Sequence, residues 1–258
     1  MKVTMLGCGP SQGVPVIGNR WGHCDPSNPK NRRSRPSIVV QDGDTSILVD
    51  MSPDIRDQCL SNDISEIDAV LFTHLHYDHV AGLGELRTLS FLAKRRLEVF
   101  ATPDVLEGLQ RSASYLFKAE ASDDANLYKP SAEARPISYG EQFEAEGVSV
   151  LPFCQDHGIC NSAGFRFGKF AYSTDVAVLD DTAFAALEGV EVWIVDCLRD
   201  NPHPTHAHFD RTLEWIERVK PKRAIFTHMN FESDYAELLA RCPEGVEPGY
   251  DGMVLDIH

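Results

Sequence analysis

Basic charge is scarce in this chain: 24 Lys and Arg stand against 39 Asp and Glu in 258 residues, a formal net charge of −15. That balance excludes a protein whose affinity comes from coating a nucleic-acid backbone with clustered cations, while a small anion held by metal stays open. Paired cysteine motifs are missing too. Seven cysteines are scattered at positions 8, 24, 59, 154, 160, 197 and 242, an odd number with no C-x-x-C spacing. This argues against a disulfide framework and for reduced thiols. Cys197, closing the apolar run Trp193-Ile194-Val195-Asp196, reads as a small core hydrophobe. No apolar stretch approaches membrane length, and Met1–Gly7 reads as a strand and a glycine turn, too short for a signal peptide. The expectation is a cytoplasmic protein with no membrane contact. Neither an internal repeat nor a low-complexity linker divides the chain, which reads as a single domain over residues 1–258.

What is present is a core-forming share of apolar residues, 43%. Short β-prone runs occur at Lys2–Leu6, Ser37–Val40, Ser46–Val49, Ala69–Thr73, Leu97–Phe100, Val148–Pro152, Gly164–Phe167, Phe170–Ser173, Val192–Val195, Arg223–Phe226 and Met253–Ile257. Helical patterns occupy Pro53–Leu60, Leu83–Lys94, Pro103–Gln110, Asp180–Leu187, Asp210–Val219 and Ser233–Ala240. Hairpins followed by strand–helix units in both halves predict an α/β fold of two mixed sheets with helices outside. The stretch Ser112–Pro136 fits no element. Its Tyr115, Phe117 and Tyr128 suit either a lid or partner-contact loop, or a satellite apolar cluster beneath a surface loop.

The chemistry concentrates in His74-Leu75-His76-Tyr77-Asp78-His79. So many imidazoles and carboxylates in one short run are costly to bury unless a metal ligates and neutralises them. The run follows the apolar strand Ile67–Thr73 and precedes a glycine turn, the usual place for a site in an α/β fold. His157, Asp175 and His228 each follow an apolar strand in the same way, and a threonine precedes the ligand at Thr73-His74, Thr174-Asp175 and Thr227-His228. Gly7, Gly9 and Gly13 have the wrong spacing for a dinucleotide loop and read as a turn needing positive φ. Lys30, Arg32, Arg33 and Arg35 form a local basic run that either draws a phosphate to the site mouth or is a solvated loop.

His-x-His-x-Asp-His with a later His, Asp and His resembles the metallo-β-lactamase superfamily. The opening Gly7–Pro15, Trp21-Gly22, His208-Phe209-Asp210, Phe226-Thr227-His228 and Gly249–Met253 resemble its phosphoribosyl cyclic phosphate phosphodiesterases of bacterial phosphonate breakdown. The resemblance implies a four-layer αββα sandwich and two divalent metal ions, with zinc, manganese, iron and nickel all compatible. It places His74, His76 and His157 on one ion and Asp78, His79 and His228 on the other, with Asp175 bridging. Two divalent cations against two aspartates, a bridging hydroxide and a phosphodiester monoanion sum to neutrality, which suits a small cyclic phosphodiester attacked by that hydroxide. His208 takes the part of general acid, for which an imidazole pKa of about 6.5 is suited, with Asp78 assisting. His203 and His206 have no counterpart and read as loop residues. A homodimer is implied as well. Relatives carry a cysteine cluster after Trp-Gly that holds a separate structural zinc; here that stretch is Trp21-Gly22-His23-Cys24, and the remaining ligand position falls on Phe231, so the loop must be held by packing and hydrogen bonds. Alternatives on the same scaffold are an RNA-processing nuclease, which would need a basic or Gly-rich arm that is not found, and a thioester or lactam hydrolase. A redox di-iron protein would want another acid where His76 stands, and a metal-stabilised scaffold protein would show no turnover.

Overall fold

The computed structural model describes residues 1–118 and 129–258. Its strands are β1 (Lys2–Gly7), β2 (Ser37–Asp42), β3 (Thr45–Val49), β4 (Ala69–Leu71), β5 (Leu97–Ala101), β6 (Ala132–Pro136), β7 (Phe143–Ala145), β8 (Val148–Asp156), β9 (Asn161–Phe167), β10 (Phe170–Ser173), β11 (Val192–Asp196), β12 (Arg223–Thr227), β13 (Val246–Pro248) and β14 (Met253–Asp256). They form two seven-stranded sheets, ordered β14-β1-β2-β3-β4-β5-β6 and β13-β12-β11-β10-β9-β8-β7. The helices are α1 (Ile55–Ser61), α2 (Tyr77–Val80), α3 (Leu86–Ala93), α4 (Pro103–Ser112), α5 (Ser114–Phe117), α6 (Asp181–Ala186), α7 (Phe209–Val219) and α8 (Tyr235–Arg241).

Side-chain alternation in the first sheet sets the layers. Val3, Met5, Ile38, Val40, Ile47, Val49, Ala69 and Leu71 join Phe153, Phe165, Phe170 and Tyr172 of the second sheet in one core. Their neighbours Leu6, Val39, Leu48, Val70 and Phe72 pack instead with Ile55 of α1, Leu86 and Leu89 of α3, and Val105 and Leu109 of α4. Both faces being covered, these strands read as continuous apolar runs. Each such buried side chain contributes about 1.5–3 kcal/mol. Trp215 of α7 and Leu238 of α8 join the first of these cores. The expected sandwich of two mixed sheets between helices is therefore the fold.

Local sequence sets the helix starts. Pro103 opens α4, where its missing N–H costs nothing, and Asp234 accepts from the amides of Ala236 and Glu237 to cap α8. At α7 the structure corrects the sequence reading. The helix begins at Phe209 with His208 as N-cap, one residue before the expected Asp210, which sits in the first turn. The amide of Phe209 donates to the carbonyl of Arg199, holding His208 extended and starting the helix early. The edge strands β6, β7 and β13 and the short helix α5 were not legible. In the stretch Ser112–Pro136, Leu116 and Phe117 are buried in the outer core and Tyr115 is exposed; Tyr128 lies outside the described residues.

Two other expectations change. Positive φ occurs at Gly13 alone of the three glycines. Gly7 and Gly9 serve close approach: a Cβ would stand 2.0 Å from the carbonyl oxygen of Arg35 and 2.9 Å from that of Arg33. The basic run divides, with Arg32 exposed, Lys30 and Arg35 half-buried, and Arg33 interior. Arg33 is fully buried and donates to the carbonyls of Asn230 (3.0 Å) and Ser233 (2.7 Å). Lys30 sits against the rings of Tyr235 and Tyr250, Arg32 over Trp21, and Arg35 pairs with Asp54. With Cys24 Sγ beside Arg33, this guanidinium ties the Trp21–Arg33 loop to the segment after His228.

Candidate metal centre

Strands β3, β4, β5 and β6 run parallel, as do β10, β11, β12 and β13. Their carboxyl ends deliver the polar residues to one edge of the sandwich. His74 and His76 follow β4, Asp78 and His79 lie in α2, and His157, Asp175 and His228 follow β8, β10 and β12. All seven come together. Six are buried and His76 is half-buried. Two donor groups result, His74, His76, His157 and Asp175 in one and Asp78, His79, Asp175 and His228 in the other, the donor atoms of each lying within 4.8 Å of one another.

Asp175 belongs to both, through different oxygens. Its Oδ1 lies 3.5 Å from His157 Nε2 and 3.8 Å from His74 Nε2. Its Oδ2 lies 3.0 Å from His79 Nε2 and 3.4 Å from His228 Nε2. Asp78 Oδ2 is 3.4 Å from both His79 and His228. Such separations are the edges of a tetrahedron with bonds near 2.1 Å, about 3.4 Å.

Three of the imidazoles, those of His74, His79 and His157, are pre-oriented by their other nitrogen. Thr73 Oγ1 donates to Asp50 Oδ2, so it accepts from His74 Nδ1 at 2.9 Å. His79 Nδ1 donates to Asp50 at 2.6 Å, and His157 Nδ1 to the carbonyl of Thr205. In the neutral rings each Nε2 then turns its lone pair to the shared space. Nε2 of His74 and of His79 are buried without a hydrogen-bond partner, and His157 Nε2 confronts His76 Nδ1 at 3.2 Å. The 3.0 Å approach of His79 to Asp175 is close but not aligned as a hydrogen bond. Convergent lone pairs at non-bonding angles repel unless a cation lies among them, so this donor set fits divalent metal.

Charge tells the same story. Burial opposes a proton on His79, but Asp175, Asp78 and Asp50 outweigh it and hold its pKa well above the ordinary imidazole value. His228, likewise opposed by burial, is raised to about 9 by Asp175 and Asp78. Burial and the neighbouring His79 keep His74 well below its ordinary value. Asp175, despite burial, is held low by His228 and His79. The carboxylates thus favour positive charge at this point, which a cation would supply.

The backbone is committed to this arrangement. Asp50, Asp175 and His228 adopt positive φ of 62°, 55° and 59°, a conformation costly for residues with a side chain. Ser162 Oγ donates to the Asp175 carbonyl, and Gln155 donates to Ser162 and to the Thr174 carbonyl, fixing that turn from below.

His208 does not reach the cluster. Its carbonyl accepts from Thr212 in α7, and its ring has no hydrogen bond, ion pair or ring contact among the described residues. His206 takes the place expected of it. Its ring stacks on His228 at 4.5 Å and meets His157 at 4.8 Å, its Nε2 is 3.9 Å from Asp175 Oδ1, and its Nδ1 is held by Asp196 Oδ2 at 2.9 Å. Reading His206 as a loop residue missed it, because a lone loop histidine carries no spacing signal. Asp50 and Asp196 were missed although each ends an apolar strand, the pattern that marked Asp175.

A two-sheet sandwich whose strand ends gather His-x-His-x-Asp-His with a later His, Asp and His defines the metallo-β-lactamase class. The chain belongs to this superfamily: residues 45–229 match the family model described as a beta-lactamase superfamily domain. It is similar to a solved new diphosphatase from the PhnP family, with a TM-score of 0.88 and 32% identity over 100% of this chain and 98% of that one. It is also 30% identical over 98% of its length to an octanoyltransferase of Porphyromonas gingivalis, of which it covers 51%. Over 51% of its length it is 30% identical to ribonuclease Z of Methanopyrus kandleri, covering 43% of that protein. The chain spans about half the length of these two curated relatives. No helix among the described residues is long and apolar enough to cross a membrane.

Proposed function

We propose that this protein is a dinuclear metal-dependent phosphodiesterase acting on small, cyclic phosphodiesters of the ribose or nucleotide type. The observation that carries the reading is the division of Asp175 between two donor groups, Oδ1 to one and Oδ2 to the other. His74, His76 and His157 would hold one divalent ion, Asp78, His79 and His228 the second, and Asp175 both. When bound, the pair supplies electrophilic charge for the phosphoryl oxygens and activates water. The similarity to a diphosphatase of the PhnP family favours a phosphoryl substrate.

The chain's own contribution lies in orientation and proton delivery. Asp196, an acceptor only, fixes a proton on His206 Nδ1, so the protonated ring presents its second N–H from Nε2 beside Asp175. His206, not His208, is therefore the general acid for the leaving oxygen. Asp50 and Thr73 hold His79 and His74 in their ligating orientation. The six site side chains buried to 4% exposure or less keep bulk water from the carboxylates.

A second reading, hydrolysis of an acyl ester or thioester, draws on the relative named octanoyltransferase. The deciding experiment joins elemental analysis of the purified protein to a panel of ribose cyclic phosphate, nucleoside 2′,3′-cyclic phosphates, aryl diesters and an octanoyl thioester. About two ions per chain with turnover confined to diesters supports the proposal. Turnover of the thioester alone replaces it.

A further inference from the structure

His203 lies beyond His206 on the same arch, their ring centroids 5.3 Å apart and tilted by 45°. Pro202 and Pro204 bracket it, restricting its backbone to extended conformations. The arch is braced from below. Thr205 accepts from His157 through its carbonyl, and a Cβ on Gly158 would stand 2.6 Å from the Pro204 carbonyl oxygen. The amide of Thr205 donates to His203 Nδ1 at 3.4 Å, and Thr205 Oγ1 lies 3.1 Å from the same nitrogen.

A backbone amide can only donate, so Nδ1 is an acceptor and the proton of the neutral ring sits on Nε2. Burial, His206 and Arg199 all lower the pKa of this ring, favouring the neutral form. Its Nε2–H has no partner among the described residues, and the residue is half-buried beside His206. The ring is thus a fixed, neutral donor one layer outside the residue that protonates the leaving group.

We propose that His203 is a specificity-determining substrate contact whose Nε2–H donates to an acceptor oxygen a few bonds beyond the scissile ester oxygen. The ligand chemistry is an oxygen-rich leaving group: a sugar with a neighbouring hydroxyl or ring oxygen, or a second phosphoryl group. A plain aryl leaving group offers no such acceptor. The proposal rests on the phosphodiesterase reading.

The test measures kcat/KM of the metal-loaded wild type, His203→Ala and His203→Gln on a ribose cyclic phosphate, a nucleotide diphosphate ester and bis(p-nitrophenyl) phosphate. His203→Ala should lose about tenfold more on at least one oxygen-rich substrate than on the aryl diester, and which one responds separates sugar from phosphoryl recognition. Gln, whose amide nitrogen takes the place of Nε2, should recover most of the loss. Equal losses on all three substrates would make His203 structural and overturn the proposal. An independent readout uses the metal-free protein: nitrogen NMR of the ring should show the proton on Nε2, shifting on addition of ribose 5-phosphate or inorganic pyrophosphate. A proton on Nδ1, or no shift with either probe, overturns it. A wild type inert to every diester removes the parent reading, and the NMR result still decides the contact.

Discussion

Asp196 Oδ2 accepts from His206 Nδ1 at 2.9 Å and from the amide of Val176 at 3.0 Å. One buried carboxylate therefore aims the proposed proton donor and also anchors the residue after Asp175. Replacing His206 by Ala should slow turnover of a cyclic phosphate by about 10²–10⁴ with metal content unchanged, whereas His208→Ala should stay near wild type. The His206→Ala defect should shrink with p-nitrophenol as leaving group, which needs no acid. Asp196→Asn should reproduce part of it. Steady-state kinetics beside elemental analysis checks all three.

The sharing of Asp175 predicts an order of metal loss. His157→Ala removes a donor from one group only and should leave about one ion per chain. Asp175→Ala strips both groups and should leave less than about one ion. Equal metal content in the two variants would contradict a shared ligand.

Protons on His79 and His228 must leave when a cation enters. Metal affinity should therefore rise with pH up to about 9, the value for His228. Titration calorimetry near pH 7 in buffers of different ionisation heat should reveal proton release. The sign for the metal-free protein is opposite. A histidine pKa raised by folding stabilises fully below its unfolded value of about 6.5 and ceases to do so as pH rises through 9. Its melting temperature should fall between pH 7 and 9.

Arg33 is a buried cation whose guanidinium satisfies the carbonyls of Asn230 and Ser233. Arg33→Met leaves those acceptors without their donor and should cost about 2–4 kcal/mol. Arg33→Lys should recover only part of it, since one ammonium lacks the forked geometry. Denaturant unfolding of the metal-free protein measures both.

The candidate ligands were legible because His74, His157, Asp175 and His228 each follow an apolar strand and because a run as dense as His74–His79 is costly to bury without a cation. The central strands were legible for the same reason that they are buried: Val39, Leu48 and Val70 pack on one face while their neighbours pack on the other. What escaped is what tertiary contact alone determines. Ala132–Pro136 is an edge strand of Ala, Glu, Arg and Pro, with little intrinsic preference for sheet. His206 gains its role from Asp196 and His228, neither of which is near it in a helical or strand period. Arg33 looked like one of four exposed cations, and only the carbonyls brought over it from Asn230 and Ser233 make it an interior residue.

Asp50, Asp175 and His228 hold left-handed backbones that glycine would adopt freely. Bulkier residues stand at these three turns, each carrying a backbone cost that its side-chain contacts must offset. Glycine at Asp175 would shed that backbone cost but also the carboxylate that favours positive charge on His79 and His228, so the two effects oppose each other in the metal-free fold. Backbone ease and electrostatic pairing compete here within single residues.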